Sequence, residues 1–220
     1  MNTPYEIIEV QQGSEEWKQE RLKRVTASQV PSLLSLSPYQ TSLQLLQEKL
    51  SGQEAEVSSF KQHLFQKGHD AEKAAREWVE SHLKIKFPPL VVVSTRVPDL
   101  LASLDGFNRE AKLILEAKYM GVKALEEMKA GKFKRHHECQ IQAQLLATGA
   151  EKCIYFATTD NGASAIAEIK PDPAYAEKIT QAVQEFSKDL LTFTEMKQQL
   201  VNKYSPPKRA KGDIFPIRRR

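Results

Sequence analysis

Cysteine is scarce in this sequence, which has only Cys139 and Cys153 among its 220 residues. The two positions lack the paired spacing of metal-binding cysteines, so no zinc site of that kind is predicted. We expect both to be buried thiols of a protein that works in a reducing compartment, the cytoplasm.

Long apolar runs are also missing. No stretch approaches the roughly 20 apolar residues that span a membrane, and no basic segment followed by an apolar one marks a signal peptide at the N-terminus. With 40% hydrophobic and 27% charged residues, the composition is that of a single globular domain with a full core. We predict one domain over residues 1–204 and a basic tail over 205–220.

An overall excess of one charge is lacking as well, since the net charge is only +4. Residues 203–220 hold seven basic residues and one acid, a local charge of +6, so the rest of the chain carries −2. A uniformly phosphate-binding surface is therefore not expected, and any nucleic-acid contact must be local. The tail is either a solubilising end or a contact for DNA or an acidic partner.

The most informative stretch comprises residues 103–106 and 113–119, predicted as two strands joined by a turn that begins at Asp105. Side chains alternate along a strand, so Glu116 and Lys118 lie on one side of the second strand. Two carboxylates and an ammonium then meet at one edge of a sheet.

Burying such charges costs several kcal/mol unless they pair or hold a metal. A hard divalent cation bound by Asp105 and Glu116 would resolve this conflict and leave Lys118 facing an anion such as a phosphate. The pattern therefore suggests metal-assisted hydrolysis of a phosphodiester. The alternative is an ordinary ion pair on a half-exposed strand.

Two short helices are predicted near the N-terminus. Ser14 suits the N-cap of the first, which carries Arg21, and Ser28 suits the N-cap of a second over residues 29–36. An arginine fork and a hydroxyl at a helix N-terminus both suit a phosphate. The alternatives are a surface arginine and a plain cap.

The rest of the chain alternates helical and strand patterns. A long helix ending near residue 82 carries Glu72 beside small residues, either at a functional site or simply exposed, and a helix over 136–148 carries Gln140. Other predicted helices cover 41–50, 122–130 and 173–204, and predicted strands cover 90–97, 100–104 and a hairpin of 153–159 with 163–169.

Four segments, in order, resemble the YqaJ-type viral recombinase and phage lambda exonuclease family over about residues 13–158. They are GSEEWKQERLKRVTASQV, KGHDAEKAA, SLDG followed by LEAK, and HHECQIQAQLLATG. The third resembles a variant of the PD-(D/E)XK nuclease motif. Each segment alone is weak, but the four together at compatible distances are specific.

This resemblance implies an α/β fold with a restriction-endonuclease-like core, a central mixed sheet flanked by helices. It implies that Asp105, Glu116 and the Ala117 backbone carbonyl hold Mg²⁺, and that Glu72 shares a second ion, with Mn²⁺ as a substitute. Lys118 would activate the attacking water or neutralise transition-state charge. Gln140 would orient a water or a phosphate oxygen.

The resemblance also implies a pocket for a 5′-terminal phosphate, made by Arg21, Ser28 and Gln140. Two departures from the family pattern are Leu104, where a proline is usual, and Ala117 between the catalytic glutamate and lysine. Neither position supplies a side-chain ligand, so neither counts strongly against activity.

Three functions compete. The first is a metal-dependent 5′→3′ exonuclease on double-stranded DNA ends, producing 3′ overhangs for a single-strand annealing recombinase. The second is a sequence- or structure-specific endonuclease, and the third is an inactive DNA-binding adaptor with the same fold. The resemblance further implies a homotrimeric ring, and the cytoplasm of a bacterium or phage-infected host as the location.

Overall fold

The computed structural model describes residues 3–53 and 59–205. The predicted tail, apart from Ser205, lies outside the described residues, so the division into residues 1–204 and 205–220 stays a prediction. The helices are α1 (Glu15–Lys23), α2 (Val30–Leu33), α3 (Ser42–Ser51), α4 (Ser59–Leu83), α5 (Val122–Lys129), α6 (Arg135–Thr148) and α7 (Pro173–Tyr204). The strands are β1 (Tyr5–Ile7), β2 (Val25–Thr26), β3 (Leu90–Ser94), β4 (Leu100–Leu104), β5 (Gly106–Asn108), β6 (Leu113–Tyr119), β7 (Lys152–Thr158) and β8 (Ser164–Ile169).

The strands of the described chain form two mixed four-stranded sheets, ordered β1-β3-β4-β2 and β5-β6-β7-β8. Most neighbours are antiparallel, but β2 runs parallel to β4 and β6 runs parallel to β7. Helices pack on both sheets, and α6 contacts strands of each. The predicted fold class is confirmed: mixed sheets flanked by helices in an α/β protein. No helix in the described ranges is both long and apolar enough to cross a membrane.

The two sheets meet at Asp105, where β4 passes into β5. The prediction of a turn starting at this residue is wrong, because Gly106 already belongs to β5 and pairs with Leu115 of β6, and the turn occupies residues 109–112. A Cβ at Gly106 would lie 2.7 Å from the Cβ of Phe87. The glycine is therefore required for close packing and not for chain reversal.

The N-terminal helix begins as predicted, since the Ser14 side chain accepts a hydrogen bond from the Trp17 backbone N–H at 3.2 Å. The predicted cap at Ser28 is wrong. The N-cap of α2 is Gln29, and the helix covers only Val30–Leu33.

A buried polar cluster fixes the turn that precedes α2. The Gln29 side-chain oxygen accepts from the Thr26 backbone N–H at 3.1 Å and from the ammonium of Lys49 at 2.9 Å. Lys49, on α3, also donates to the carbonyls of Arg21 and Arg24. These long-range bonds hold residues 26–29 as a turn and leave Ser28 exposed on it.

Candidate active site

Asp105 and Glu116 face each other across neighbouring strands. The last antiparallel pair of β5 and β6 is Gly106 with Leu115, and one step further along the same register places Asp105 opposite Glu116. The Asp105 Oδ2 accepts a hydrogen bond from the Ala117 backbone N–H at 2.8 Å. The fold thus joins the two carboxylates that the sequence suggested as metal ligands.

Glu116 is buried, with only 1% of its surface exposed, and both of its carboxylate oxygens have donors. Oε1 accepts from Gln140 at 2.7 Å and lies 2.5 Å from the ammonium of Lys118. Oε2 accepts from Gln144 at 2.5 Å. The predicted shared orientation of Glu116 and Lys118 is therefore present.

The electrostatics of these groups are strongly coupled. Desolvation, followed by the charges of Glu116 and Glu72, raises the pKa of Asp105 well above its ordinary value. Burial opposes the charged form of Lys118, but the carboxylates of Glu116 and Asp105 outweigh it and raise the pKa of the ammonium. Negative charge is thus in excess, which is the condition that a bound cation would relieve.

The donor chemistry fits a hard divalent ion. Carboxylate oxygens from two strands and a backbone carbonyl at Ala117 are ligands that Mg²⁺ accepts, and Mg²⁺ commonly uses one or two carboxylates and keeps several waters. In the described ranges, no three Asp, Glu, His or Cys side chains form a complete ligand set by themselves. Water or substrate oxygens would have to complete the coordination.

Helix α4 brings Glu72 and Arg76 to the same place. The charge of Glu72 acts on the pKa of both Asp105 and Lys118, so its carboxylate lies within electrostatic range of the two. Arg76, one turn later, donates to the Asp105 carbonyl oxygen from Nη2 at 2.8 Å and from Nε at 3.3 Å. The long amphipathic helix therefore supplies one acidic group to the site and fixes the backbone of another.

Sequence reasoning missed two residues of this site, Gln144 and Arg76. The signal for Gln144 was its position, one helical turn after Gln140 on the same face of α6. Arg76 stands four residues after Glu72, with the same spacing.

Arg21 and Ser28 lie at the edge of β4 that leads to Asp105. The Arg21 guanidinium lies 4.4 Å from the ring centroid of Trp17, and the indole N–H of Trp17 donates to Ser103 on β4 at 2.8 Å. Ser28 follows β2, which runs parallel to β4, so the two strands end at the same edge. Its hydroxyl lies 3.0 Å from that of Thr26. Gln140, the third residue of the predicted phosphate pocket, instead bonds Glu116.

Comparison with known proteins supports this architecture. The fold is similar to that of the alkaline exonuclease LHK-Exo from Laribacter hongkongensis, seen in complex with dAMP, with a TM-score of 0.71, 23% identity, and coverage of 87% of this chain and 100% of that one. A phage-related exonuclease from Haemophilus somnus 129PT is similar with a TM-score of 0.53, 12% identity, and coverage of 77% and 95%. At these identities the likeness concerns the fold.

The sequence matches none of the curated proteins with which it was compared. Residues 16–151, more than half of the chain, match the model of the YqaJ-like viral recombinase domain. The matched range contains every predicted site residue, from Arg21 to Gln140. The chain therefore belongs to the YqaJ-like viral recombinase domain family.

Proposed function

We propose that the chain is a metal-dependent 5′→3′ exonuclease that degrades one strand of linear double-stranded DNA and leaves 3′ overhangs for recombination by single-strand annealing. The observation that carries the proposal is the convergence of Asp105, Glu116 and Lys118 at the junction of the two sheets. Acidic groups with an adjacent lysine suit hydrolysis of a phosphodiester.

Mg²⁺ held by Asp105, Glu116 and the Ala117 carbonyl, with a second ion near Glu72, would supply hydroxide at neutral pH and neutralise charge on the attacking and leaving oxygens. Mn²⁺ would substitute because it accepts the same oxygen ligands. Gln140 and the fully buried Gln144 hold Glu116 in one orientation, so the carboxylate would need little rearrangement to bind a metal ion.

Lys118 would stabilise the charge that develops on the phosphate oxygens in the transition state. Its side chain is 25% exposed, so it can reach a substrate while remaining paired with Glu116. Gln140, whose amide already contacts the Glu116 carboxylate, would orient the attacking water or a phosphate oxygen.

The 5′→3′ polarity in this proposal follows from a pocket that would bind the terminal 5′-phosphate. Hydrolysis of the first internal P–O3′ bond adds water, releases a nucleoside 5′-monophosphate and leaves a new 5′-phosphate on the shortened strand. Arg21 and Ser28 would bind this group after every cut, since a guanidinium and a hydroxyl both donate to phosphate oxygens. A terminal phosphate carries about one more negative charge than an internal one, which such a pocket would favour.

The proposed partners follow from this activity: duplex DNA ends, a single-strand annealing protein that takes up the 3′ strand, and two further copies of this chain in a closed ring. A ring around the duplex would keep the enzyme from dissociating between cuts. An endonuclease is the second candidate, and the proposed pocket for ends would argue against it. Intact Asp105, Glu116 and Lys118 argue against an inactive adaptor.

The test compares digestion of 5′-phosphorylated linear duplex, 5′-hydroxyl linear duplex and covalently closed circular duplex with Mg²⁺ and with EDTA. The proposal predicts Mg²⁺-dependent release of nucleotides from linear DNA only, and faster release from the phosphorylated ends. The Lys118→Ala variant should cleave much more slowly in a single turnover while its DNA affinity stays unchanged, because the lysine acts on transition-state charge. Efficient cutting of closed circles would favour the endonuclease.

A further inference from the structure

A cluster of exposed cations precedes and begins helix α6. Lys132, Lys134 and Arg135 are all exposed. Within the described residues none of the three makes an ion pair, whereas Lys129, in the preceding helix, pairs with Glu126 at 2.8 Å. We call Lys132, Lys134 and Arg135 the α6 cationic segment. Three exposed positive charges within four residues are a strong local concentration in a chain whose body carries slightly negative net charge.

The contacts of Glu116 fix where this segment lies. Gln144 binds one carboxylate oxygen, and Gln140, one turn nearer the start of α6, binds the oxygen that is also next to Lys118. Lys118 therefore lies beside Gln140, in the half of α6 nearer its start. The α6 cationic segment adjoins that end of the helix.

His136 gives independent support for this placement. Burial, and after it the charges of Lys134 and Lys118, lowers the pKa of its imidazole. The histidine thus lies within electrostatic range of both the α6 cationic segment and the catalytic lysine. A strand whose phosphate lies at Lys118 could place its next phosphates over the segment.

We propose that the α6 cationic segment is a contact surface for the phosphate backbone of duplex DNA beside the active site. The inference rests on the proposed function and deepens it, because it says where the substrate backbone lies relative to Lys118. Flexible, exposed lysine and arginine side chains suit contacts with phosphates that are independent of base sequence. Continuity with the proposed catalytic groups favours DNA over an acidic protein as the occupant.

The structure also indicates that these three side chains can be replaced by alanine without disturbing the fold. Lys134 is the N-cap residue of α6 but its side chain makes no capping hydrogen bond. Lys132 uses its backbone N–H, which donates to the Glu127 carbonyl at 2.8 Å, and this bond survives any side-chain change. The variant K132A/K134A/R135A should therefore fold.

The experiment measures binding of the full chain to a fluorescent 5′-phosphorylated duplex by anisotropy over a range of KCl concentrations, with EDTA present so that nothing is cut. Each phosphate contact contributes about 0.9 to the slope of log affinity against log salt. The triple variant should lower the magnitude of that slope by about 2 to 3 and weaken binding by about tenfold or more at low salt. The charge-matched control, K84A/K178A/K188A, removes exposed cations from the end of α4 and from α7 and should change the slope by less than about 1.

Equal slopes for wild type and the α6 triple variant would overturn the inference while leaving the proposed exonuclease intact. A triple variant that keeps duplex binding but loses binding to poly-glutamate would also overturn it, in favour of an acidic protein partner. If wild type neither binds nor cuts linear duplex, the proposed function itself fails. If the triple variant melts at a lower temperature than wild type, K132A/K134A provides the same test, with a loss of about two phosphate contacts expected.

Discussion

Gln144 donates a hydrogen bond from its side-chain amide to Oε2 of Glu116 at 2.5 Å, and it does so from a fully buried position on α6. A buried carboxylate without donors would be costly, so this glutamine supplies one of the hydrogen bonds that offset the burial of Glu116. The carboxylate is held in one orientation by a neutral side chain.

We predict that Gln144→Leu raises the Mg²⁺ concentration needed for half-maximal cleavage, because Glu116 loses a donor and its orientation. The loss of a hydrogen bond to a charged group should also cost about 2 kcal/mol of stability. Gln142→Leu is a matched control, since Gln142 lies on the same helix but bonds the Lys170 carbonyl and the Asp172 N–H. It should lower the melting temperature without changing the Mg²⁺ dependence. Parallel shifts of Mg²⁺ dependence in both variants would contradict this role for Gln144.

Arg76 should control activity through the backbone of Asp105. Arg76→Met removes both hydrogen bonds to the Asp105 carbonyl, and we expect kcat to fall by about tenfold or more, equivalent to about 1.4 kcal/mol or more. Arg76→Lys should recover only part, because an ammonium cannot reproduce the two-donor fork. Lys73→Met, an exposed neighbour on the same helix, is the control. Wild-type kcat in Arg76→Met would remove Arg76 from this positioning role.

An isosteric replacement of Asp105 separates its proposed role in metal binding from its effect on folding. Desolvation and two neighbouring carboxylates raise the pKa of Asp105, so the charged aspartate destabilises the metal-free protein. Asp105→Asn should therefore keep or raise the melting temperature while abolishing Mg²⁺-dependent cleavage, and Glu116→Ala should abolish cleavage as well. Cleavage at the wild-type rate by a folded Asp105→Asn protein would exclude Asp105 as a ligand.

His137 should make stability depend on pH. Burial, and to a lesser extent Lys118, lowers the pKa of its imidazole from 6.5 to about 2. The folded state holds the neutral ring, and only the unfolded chain takes up the proton. The stability that the neutral ring contributes is therefore fully present above pH 6.5 and is lost as the pH falls below it. Replacing the histidine by glutamine, which can still bond the Tyr155 hydroxyl, should remove up to about 1.4 kcal/mol of destabilisation per pH unit below 6.5.

Denaturant unfolding of wild type and His137→Gln between pH 7 and 4.5 measures this difference. His82→Gln, at an exposed position, serves as the control for replacing a histidine by glutamine. Parallel curves for wild type and His137→Gln would show that His137 takes up its proton equally in both states.

Much of the fold could be predicted from the sequence because the signals that specify it act between residues a few positions apart. The hydroxyl of Ser14 before a helix, the alternation around Glu116 and the Asp160-Asn161-Gly162 turn all specify structure within a few positions. Each of these elements is present. The strand predicted over 90–97 ends earlier, at Ser94, where its hydroxyl accepts from the backbone N–H groups of the next turn.

What the sequence could not supply are the long-range bonds that decide local alternatives. Ser28 looks like a helix cap until Lys49, on another helix, binds Gln29 and holds the turn. Gln144 and Arg76 look like ordinary helical residues until the fold brings them to Glu116 and the Asp105 carbonyl. Their chemistry depends on partners 28 or 29 positions away, a distance over which periodicity carries no information.

The 5′-phosphate pocket is the central claim, and the rate ratio for 5′-phosphorylated over 5′-hydroxyl duplex tests it most directly. Wild type should digest the phosphorylated duplex faster, and Arg21→Ala should shrink the ratio by about 30-fold at one fixed salt concentration, corresponding to about 2 kcal/mol for a charge-assisted contact. Lys18→Ala, an exposed cation on the same helix, should leave the ratio unchanged, and neither variant should alter the Mg²⁺ requirement. Equal wild-type rates on the two ends would contradict the account.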